Sequence, residues 1–330
     1  MTTTFKGPLS PDVLKIDEAA EVASLAAWLR GVTATQLRKR GLVVAMSGGI
    51  DSSVCAALSV RALGADKVFG LILPERDSSP QSRERATALA KFLGISYTVE
   101  DIAPTLAAIG CYRWRDEAYQ SVLPAYGPGW RAKIVIAGGL EGQVNHFKLV
   151  AQAPDGKTHE VRLELKQYLQ IVAATNFKQR IRKTLEYFHA DRLNYGVVGT
   201  PNRLEYDQGF FVKNGDGSAD VKPIAHLYKV QVYALARHMQ LPPEICSAQP
   251  TTDTYSMPQG QDEFYFALPY AQMDLALWAY NHGVPAAELA RALGIDTPRA
   301  EHVYTDIESK RRMSRLLLRP GITQQPVLPP

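Results

Sequence analysis

A glycine-rich turn that follows a short apolar run constrains the fold of this chain more than any other feature of its sequence. Residues 42–46 read Leu-Val-Val-Ala-Met, and residues 47–53 read Ser-Gly-Gly-Ile-Asp-Ser-Ser. The apolar run is typical of a strand buried in a parallel sheet. Glycines at positions 48 and 49 allow positive φ and let backbone N–H groups approach an anion. The junction therefore predicts a strand, a phosphate-binding turn and a helix whose N-terminus favours negative charge.

The residue types in this turn indicate which ligand it binds. The hydroxyls of Ser47, Ser52 and Ser53 add hydrogen-bond donors to the backbone amides. The carboxylate of Asp51 repels phosphate unless a cation lies between them, so it predicts bound Mg²⁺, which prefers oxygen ligands. The turn is neither a Walker A loop, because no Gly-Lys-Ser/Thr follows at the required spacing, nor the Gly-x-Gly-x-x-Gly fingerprint. An ordinary strand-to-helix turn without a ligand is the alternative interpretation.

Strand and helix patterns alternate along the first part of the chain. Apolar residues at helical spacing cover residues 13–40, strands are predicted at 67–73 and 95–99, and a helix at 82–93 lies between them. A further buried strand is predicted at 195–199. This alternation predicts an α/β fold with a doubly wound, mostly parallel sheet, flanking helices, and ligands at the carboxyl ends of the strands.

The stretch from residue 104 to residue 175 interrupts the alternation. Residues 134–136, 146–150 and 158–165 alternate polar and apolar side chains around Gly-Gly and Asp-Gly turns, which is typical of hairpins. We therefore predict an antiparallel β insertion, which is either a lid over the substrate or a surface that stabilises an oligomer. The insertion also carries aromatic and basic residues: Tyr112, Trp114, Trp130 and Arg131.

These boundaries divide the 330-residue chain into four predicted parts. Residues 1–103 form the first part of a nucleotide-binding domain, and residues 104–175 form the insertion. Residues 176–320 complete the domain, and residues 321–330 form an extended or disordered tail.

Composition favours a soluble cytoplasmic enzyme. No apolar run approaches the roughly 18 residues of a membrane span, and the N-terminus lacks a signal-peptide pattern. Cys55, Cys111 and Cys246 are widely separated and show no Cys-x-x-Cys spacing, which argues against a disulfide framework and a zinc site. The net charge of +4 is small and the basic residues are dispersed, so we expect no nucleic-acid partner.

The turn at residues 47–53 resembles the signature of the N-type ATP pyrophosphatases, which cleave ATP between its α- and β-phosphates to adenylate an oxygen of a second substrate. Later segments resemble, in the same order, the signature blocks of one branch of that superfamily, the ammonia-dependent NAD synthetases. The resemblance implies an adenine nucleotide alpha hydrolase-like fold. The matching blocks are residues 176–182, 199–205, 209–220, 223–229, 250–253 and 309–312.

The resemblance implies a ligase that makes NAD. In that family, ATP and nicotinic acid adenine dinucleotide give an acyl-adenylate and pyrophosphate, and ammonia then displaces AMP. A homodimer with the dinucleotide at the subunit interface is also implied. The alternative is an amide-forming ligase of the same fold that acts on a different carboxylate. The 40 residues before the first strand are too few for a glutaminase domain and no Cys follows Met1, so we expect free ammonia as the donor, with a separate glutaminase subunit as the alternative.

The resemblance also assigns roles to individual residues. Asp51 and Glu205 are expected to bind Mg²⁺, although Glu205 could instead lie on a solvated helix face. Lys229 and Thr251 are expected to contact the ATP phosphates, with Thr252 as the alternative threonine. Either Phe210 or Phe211 is expected to stack on the nicotinate ring, although each could belong to the core.

The full predicted sets follow from these assignments. The residues expected to act in catalysis are Asp51, Asp216, Asp220, Lys229 and Thr251. Those expected to bind ATP are Ser47, Gly48, Gly49, Asp51, Ser52, Ser53, Arg180, Thr200, Lys229 and Thr251. Those expected to bind the second substrate are Phe210, Phe211, Lys213, Asp220, Lys310 and Arg311.

Overall fold

A four-stranded parallel sheet forms the centre of the chain in a computed structural model. The structure describes residues 7–137, 146–248, 254–258, 260, 265, 266 and 268–324. The strands of this sheet are β1 (Leu42–Ala45), β2 (Val68–Ile72), β3 (Ser96–Val99) and β7 (Gly196–Val198). Their order is β3-β2-β1-β7, so the chain reverses its direction of winding between β1 and β7.

Helices cover both faces of this sheet, as the sequence predicted. The helices are α1 (Glu18–Gly31), α2 (Ile50–Leu63), α3 (Pro80–Phe92), α4 (Ala103–Ile109), α5 (Cys111–Val122), α6 (Leu165–Leu193), α7 (Arg203–Gln208), α8 (Lys229–His238), α9 (Pro243–Cys246), α10 (Tyr270–Asn281), α11 (Ala286–Leu293) and α12 (Thr297–Leu317). Leu42 and Val44 of β1 are fully buried on the face that α1, α2 and α8 cover, whereas Val43 is fully buried on the face that α4 and α6 cover. Each such side chain contributes about 1.5–3 kcal/mol through burial. The doubly wound α/β class is therefore confirmed.

A second sheet of three antiparallel strands lies between α5 and α6. Its strands are β4 (Arg131–Ala137), β5 (His146–Gln152) and β6 (Thr158–Arg162), in that order across the sheet. Ile134 of β4 pairs with Leu149 of β5, and both are fully buried in a hydrophobic core that this sheet shares with α5 and α6. The predicted antiparallel insertion is confirmed. We call these three strands the insertion sheet.

Helices occupy both ends of the predicted insertion. Helices α4 and α5 occupy its first part, and α6 begins at Leu165, ten residues before the predicted boundary at 175. Gly156 adopts φ +87° in the turn between β5 and β6, where an Asp-Gly turn was predicted. The Gly-Gly pair at 138–139 lies outside the described residues.

Helix α6 is the longest helix among the described residues and links the insertion sheet to the central sheet. It has 29 residues, and Asn194, the residue that follows its last turn, adopts the left-handed conformation. The helix is about 43 Å long at 1.5 Å per residue. Because β7 follows directly, one end of α6 lies beside the central sheet and the other beside the insertion sheet.

Helices α10, α11 and α12 form a separate hydrophobic core with Leu204 of α7. The sequence prediction did not resolve this part of the chain into elements. In the part of the chain that the structure describes, no helix combines the length and the apolar character that crossing a membrane requires. The predicted tail continues past residue 324, the last described residue.

Candidate active site

A cavity of about 690 Å³ lies at the carboxyl ends of the central strands. Ala45 at the end of β1, Leu73 just after β2 and Gly199 just after β7 all line it. Parallel sheets that reverse their winding direction bind ligands at this reversal point. The cavity is therefore the candidate active site.

The phosphate turn, residues 47–53, connects β1 to α2 at this cavity. Gly49 directly precedes α2, and the hydroxyls of Ser52 and Ser53 donate to its carbonyl oxygen at 3.1 and 2.8 Å. The Ser52 hydroxyl also accepts the N–H of Ser47 at 3.3 Å. These bonds hold the turn against the first turn of α2, whose N-terminal amides and dipole favour an anion.

Helix α3 packs against the phosphate turn at Gly48. Gly48 adopts φ +77°, and a Cβ atom there would lie 2.2 Å from the carbonyl oxygen of Ser82. Arg85 donates from Nε to the Gly48 carbonyl oxygen at 3.1 Å and lines the cavity. Only glycine fits position 48, and the close contact brings a guanidinium to the phosphate turn.

Three helices bring charged groups together beside this turn. Asp51 belongs to the first turn of α2, Glu205 to α7, and Lys229 begins α8. The Lys229 ammonium donates to Oδ2 of Asp51. Asn202 joins the two acids, because its side chain donates to Asp51 Oδ1 at 3.2 Å and its N–H donates to Glu205 Oε2 at 3.1 Å. We call Asp51, Asn202, Glu205 and Lys229 the acid–lysine cluster.

Burial and mutual charge determine the protonation of this cluster. Burial and the Asp51 carboxylate raise the pKa of Glu205 to about 8, although Lys229 opposes the shift. Burial disfavours the charge of Lys229, but Asp51 and Glu205 outweigh burial and raise the pKa of Lys229. Near pH 7 the Glu205 carboxyl group therefore holds a proton, and the Lys229 ammonium balances the Asp51 carboxylate. A nearby divalent cation favours the charged form of a carboxyl group, and carboxylate oxygens are ligands that suit Mg²⁺, so the residues fit the metal that the sequence predicted.

One face of α6 forms a long wall of the cavity. The first and last lining residues, Tyr168 and Glu186, are about 27 Å apart along the helix axis at 1.5 Å per residue. Near the central sheet this wall is charged: Arg182 Nε donates to the Leu73 carbonyl oxygen at 3.2 Å, and Lys183 pairs with Glu186 at 2.5 Å. The lining residues recur at helical spacing: Tyr168, Val172, Thr175, Asn176, Gln179, Arg180, Arg182, Lys183 and Glu186.

The segment after α7 folds against the charged part of this wall. Gly209 ends α7 with φ +75°. The Asp216 carboxylate accepts the Val212 N–H at 2.7 Å, and Arg180 Nε donates to the Lys213 carbonyl oxygen at 3.3 Å. These bonds fold the segment into a compact loop that is tied to α6. Its cavity-lining residues are Phe210, Phe211, Val212, Lys213 and Asp216.

Comparison with known proteins identifies the family of this chain. The sequence profile of the family described as NAD synthase matches residues 21–123 and 147–315. The chain belongs to the NAD synthase family. An NH(3)-dependent NAD(+) synthetase of Rhizobium meliloti (strain 1021) is 56% identical over 317 residues, which cover 96% of this chain and 95% of that protein.

Two solved structures share the fold of this chain. The NMN synthetase from Francisella tularensis has a TM-score of 0.62 at 21% identity and covers 95% of this chain and 100% of its own. The NH3-dependent NAD synthetase from Campylobacter jejuni subsp. jejuni NCTC 11168 has a TM-score of 0.61 at 21% identity. The match covers 94% of this chain and 100% of that protein. At such identities the likeness shows the fold alone.

These comparisons confirm the predicted family, the fold class and the function of an NAD-forming ligase. They do not favour the alternative of a different carboxylate substrate. ATP as a co-substrate agrees with the NAD synthase family.

Most residues predicted for the site line this cavity, and a few do not. Asp220 is exposed beside β7, where its carboxylate accepts the Val197 N–H at 2.7 Å. Arg311 pairs with Asp207 of α7 at 2.8 Å, so it fastens α12 to α7. Gly48 and Ser53 shape the phosphate turn without lining the cavity, and Thr251 and Thr252 lie outside the described residues. The predicted residues that do line it are Ser47, Gly49, Asp51, Ser52, Arg180, Thr200, Glu205, Phe210, Phe211, Lys213, Asp216, Lys229 and Lys310.

Three residues with evident roles at the site were missed from the sequence. Asn202 connects Asp51 to Glu205, and the spacing Asn-x-x-Glu is the signature of a capping box, which the structure contains at the start of α7. Arg85 contacts the phosphate turn from another helix, and no local sequence pattern predicts that contact. Lys178 is fully buried in α6 and left no sequence signal, because its partners are about 75 to 100 residues away along the chain.

Proposed function

We propose that this chain is an ammonia-dependent NAD synthetase. It joins ammonia to the carboxyl group of nicotinic acid adenine dinucleotide and converts ATP to AMP and pyrophosphate. The observation that carries the proposal is the acid–lysine cluster beside the phosphate turn, in a cavity at the carboxyl ends of a parallel sheet. Membership of the NAD synthase family supports the same reaction.

The reaction has two steps. A carboxylate oxygen of the dinucleotide attacks the α-phosphorus of ATP, the bond from that phosphorus to the oxygen shared with the β-phosphorus breaks, and pyrophosphate leaves. The nitrogen of ammonia then attacks the carboxyl carbon of the acyl-adenylate, AMP leaves with the former carboxylate oxygen, and the nitrogen loses one proton. In the first step the protein aligns the two substrates and balances negative charge.

The phosphate turn and Lys229 bind the part of ATP that leaves. The amide N–H groups at the N-terminus of α2 donate to the pyrophosphate end, whose negative charge the helix dipole favours. Lys229 is 2% exposed, so its ammonium acts at low dielectric, where a charge stabilises a phosphate more than it does in water. We propose that the Lys229 ammonium binds the ATP phosphates in place of Asp51. The Asp51 carboxylate is then free to bind a cation.

Asp51 and Glu205 are the proposed ligands of Mg²⁺. When bound, the ion supplies positive charge against the charge that develops on the leaving pyrophosphate. Among the described residues, no group of three or more His, Cys, Asp or Glu side chains could hold a metal. Two carboxylates are sufficient for Mg²⁺, which commonly completes its coordination with water and substrate phosphates.

The loop after α7 is the proposed binding segment for the reacting end of the dinucleotide. Phe211 stacks on Tyr206 with ring centroids 6.0 Å apart and lines the cavity, so its ring is available near the nicotinate. Phe210 packs against Tyr265 and Phe266, which favours a role in holding the loop. Lys213 and Lys310 are the proposed cations for the phosphates of the dinucleotide.

Free ammonia, a homodimer and a cytoplasmic location complete the proposal. All three cysteines are unpaired thiols, which agrees with a reducing compartment.

Leu165 and Leu169 lie one helical turn apart on α6 and are 71% and 54% exposed, so they offer apolar surface to a second copy. Sedimentation of the wild type beside a Leu165→Glu, Leu169→Glu variant tests the dimer, because a monomeric wild type contradicts it.

One assay tests the reaction. The chain is supplied with ATP, MgCl₂, nicotinic acid adenine dinucleotide and either ammonium or glutamine, and NAD, AMP and ADP are measured. We expect NAD and AMP in equal amounts with ammonium and no NAD with glutamine. Production of ADP in place of AMP, or turnover only with another carboxylate, would falsify the proposal. Turnover with glutamine only after a second protein is added would instead support a separate glutaminase subunit.

A further inference from the structure

Arg85 of α3 places a guanidinium group beside the phosphate turn. Its Nε donates to the Gly48 carbonyl oxygen at 3.1 Å, and its Nη2 donates to the Ser82 hydroxyl at 3.3 Å. The side chain is half-buried and lines the active-site cavity. Because position 48 has no side chain, α3 packs closely enough against the turn for this contact. Two hydrogen bonds therefore hold the guanidinium at the edge of the phosphate site.

The positive charge of Arg85 has no negative partner in the part of the chain that the structure describes. Both of its acceptors are neutral oxygens, and none of the described carboxylates forms an ion pair with it. Arg311, which is similarly half-buried, instead pairs with Asp207 at 2.8 Å. A guanidinium is always charged and has five N–H donors, of which Arg85 uses two in these bonds. An uncompensated cation in the wall of a cavity indicates an anionic ligand.

Arg85 and Lys229 approach the phosphate turn from opposite sides of β1. The strand order is β3-β2-β1-β7, and the turn follows β1. Helix α3, which carries Arg85, comes after β2. Lys229 belongs to the acid–lysine cluster, whose Asn202 and Glu205 come after β7. A pyrophosphate on the amides of α2 therefore lies between a compact ammonium and a planar guanidinium, which can donate to two of its oxygens at once.

We propose that Arg85 is a catalytic residue that donates hydrogen bonds to the pyrophosphate as it leaves ATP. This role rests on the proposed function, because pyrophosphate is the leaving group only when the α-phosphorus is attacked. As the bond from this phosphorus to the bridging oxygen breaks, its electron pair stays on that oxygen, and negative charge grows on the pyrophosphate. The remaining N–H groups of Arg85 stabilise this charge, and no proton is transferred. Because the charge is greater in the transition state than in ATP, the contact lowers the barrier of the first step.

Single-turnover kinetics of two variants test this role. Quenched-flow measurement of AMP compares Arg85→Gln and Arg85→Lys with the wild type. We expect Arg85→Gln to slow AMP formation about 10²- to 10³-fold, as does the removal of one donor to a developing charge. Arg85→Lys keeps the charge and should recover about 10-fold of this loss. The control is Lys91→Gln, which removes an exposed charge from the last turn of the same helix and should match the wild type.

A comparison of leaving groups separates this role from simple support of the turn. The substrates are two ATP analogues in which CF₂ or CH₂ replaces the oxygen between the β- and γ-phosphorus, so that the leaving bisphosphonate is less basic or more basic. A residue that stabilises the leaving group reduces the dependence of the rate on this basicity. Arg85→Gln should therefore widen the ratio of the CF₂ rate to the CH₂ rate by about 3- to 10-fold.

Two results overturn the proposal. If Arg85 only holds the turn, both analogue rates fall by the same factor, and the ratio of the variant equals that of the wild type. An AMP rate within about three-fold of the wild-type rate in a folded Arg85→Gln protein also excludes a catalytic contact.

Binding of pyrophosphate alone keeps the test independent of turnover. Calorimetry measures the Kd of pyrophosphate with MgCl₂, in the absence of ATP and the dinucleotide, for the wild type, Arg85→Gln and Lys91→Gln. We expect Arg85→Gln to raise this Kd about 10- to 100-fold, the range for hydrogen bonds to a charged group, and Lys91→Gln to leave it unchanged. A wild type that binds pyrophosphate and forms no AMP contradicts the proposed function alone. An unchanged Kd in Arg85→Gln contradicts the role of Arg85 alone.

Discussion

The two ends of the active-site cavity are lined by different kinds of chemical group. At the central sheet, the phosphate turn and the acid–lysine cluster consist of backbone amides and buried charges from residues 47–53, 202, 205 and 229. At the insertion sheet, the wall consists of aromatic and aliphatic side chains without charge among its described lining residues. The first end presents fixed donors and charges, whereas the second presents a flat apolar surface.

This difference predicts how each end responds to change. Close backbone contacts and buried charges tolerate almost no substitution, because a displaced donor or an unpaired charge costs several kcal/mol. A stacking surface loses affinity gradually, by about 1–3 kcal/mol for each ring.

Removal of the Asp51 charge is the strongest test of the charged end. Asp51→Asn keeps the size of the side chain, and we expect the rate of AMP formation to fall by about 10³-fold through lost charge stabilisation at the phosphates. Stability should change by less than about 1 kcal/mol, because Glu205 remains as a counter-charge to Lys229. Quenched-flow measurement of AMP together with urea unfolding checks both expectations.

The matched control for this variant is Asp155→Asn, which changes an exposed acid in the turn between β5 and β6. Its rate should equal that of the wild type. An Asp51→Asn rate within about five-fold of the wild-type rate would show that the charged end does not depend on this carboxylate.

Lys178 tests whether the two ends depend on a common scaffold. It is 1% exposed, and its ammonium donates to Glu75 at 2.9 Å, to Asp77 at 2.7 Å and to the Thr254 carbonyl oxygen at 3.1 Å. We expect Lys178→Met to lower the free energy of unfolding by about 3–5 kcal/mol, because it leaves buried carboxylates short of a cation. Lys166→Met on the exposed surface of the same helix is the control. If Lys178→Met lowers the free energy of unfolding in urea by less than about 1 kcal/mol, the two ends do not depend on a scaffold held by Lys178.

Adjacent glycines in the phosphate turn provide a sharper comparison within the charged end. Gly48→Ala places a methyl group against the Ser82 carbonyl oxygen in a backbone conformation that alanine disfavours. We expect the KM for ATP to rise roughly 10- to 100-fold, since displacement of α3 misaligns the turn. Gly49→Ala should have a much smaller effect, because its φ is −88° and the nearest atom is the Ser47 hydroxyl at 3.3 Å. Equal KM values for the two variants would contradict the geometry of the turn.

Asp274 gives a smaller effect that depends on pH. It is fully buried in α10, and its carboxyl group accepts the Val230 N–H at 2.9 Å at the start of the helix that carries Lys229. Burial raises the pKa of Asp274 to about 7. The folded chain therefore holds this proton more tightly than the unfolded chain, so the contribution to stability is present at low pH and is lost as the pH rises toward 7.

We expect the difference in unfolding free energy between the wild type and Asp274→Asn to change with pH. Relative to Asp274→Asn, the wild type should lose about 1–2 kcal/mol of unfolding free energy between pH 5 and pH 7. Urea unfolding of both proteins at the two pH values measures the difference. A difference that is constant, or that grows with pH, contradicts the raised pKa.

The phosphate turn of the charged end was predictable from the sequence because its information is local, whereas Glu205 and Lys229 were expected from the resemblance to the family. The apolar strand, Gly48 and the serines of the turn lie within twelve residues of one another, and their chemistry follows from backbone conformation and helix polarity. The alternation of polar and apolar residues likewise predicted the insertion sheet, and its pairing of Ile134 with Leu149 agrees with that pattern.

The assembly of the cavity was not predictable in the same way. Phe147 and Tyr168 come from a strand and a helix, and their stack depends on how the insertion sheet packs on α6. The buried partners of Lys178 belong to the loop after β2 and to the segment at Thr254, and no periodic pattern encodes such distant contacts. Asp220 does not line the cavity, and its carboxylate accepts the Val197 N–H of β7, so its role at the site stays a prediction.

The route of one oxygen atom tests the central claim most directly. The dinucleotide is prepared with ¹⁸O in its nicotinate carboxyl group, turned over with ATP and ammonium, and the AMP is examined by mass spectrometry. The account predicts one ¹⁸O atom in each AMP, because the carboxylate oxygen bonds to the α-phosphorus and stays with it when nitrogen displaces AMP. Unlabelled AMP, or label found in pyrophosphate or inorganic phosphate, would contradict attack at the α-phosphorus at this site.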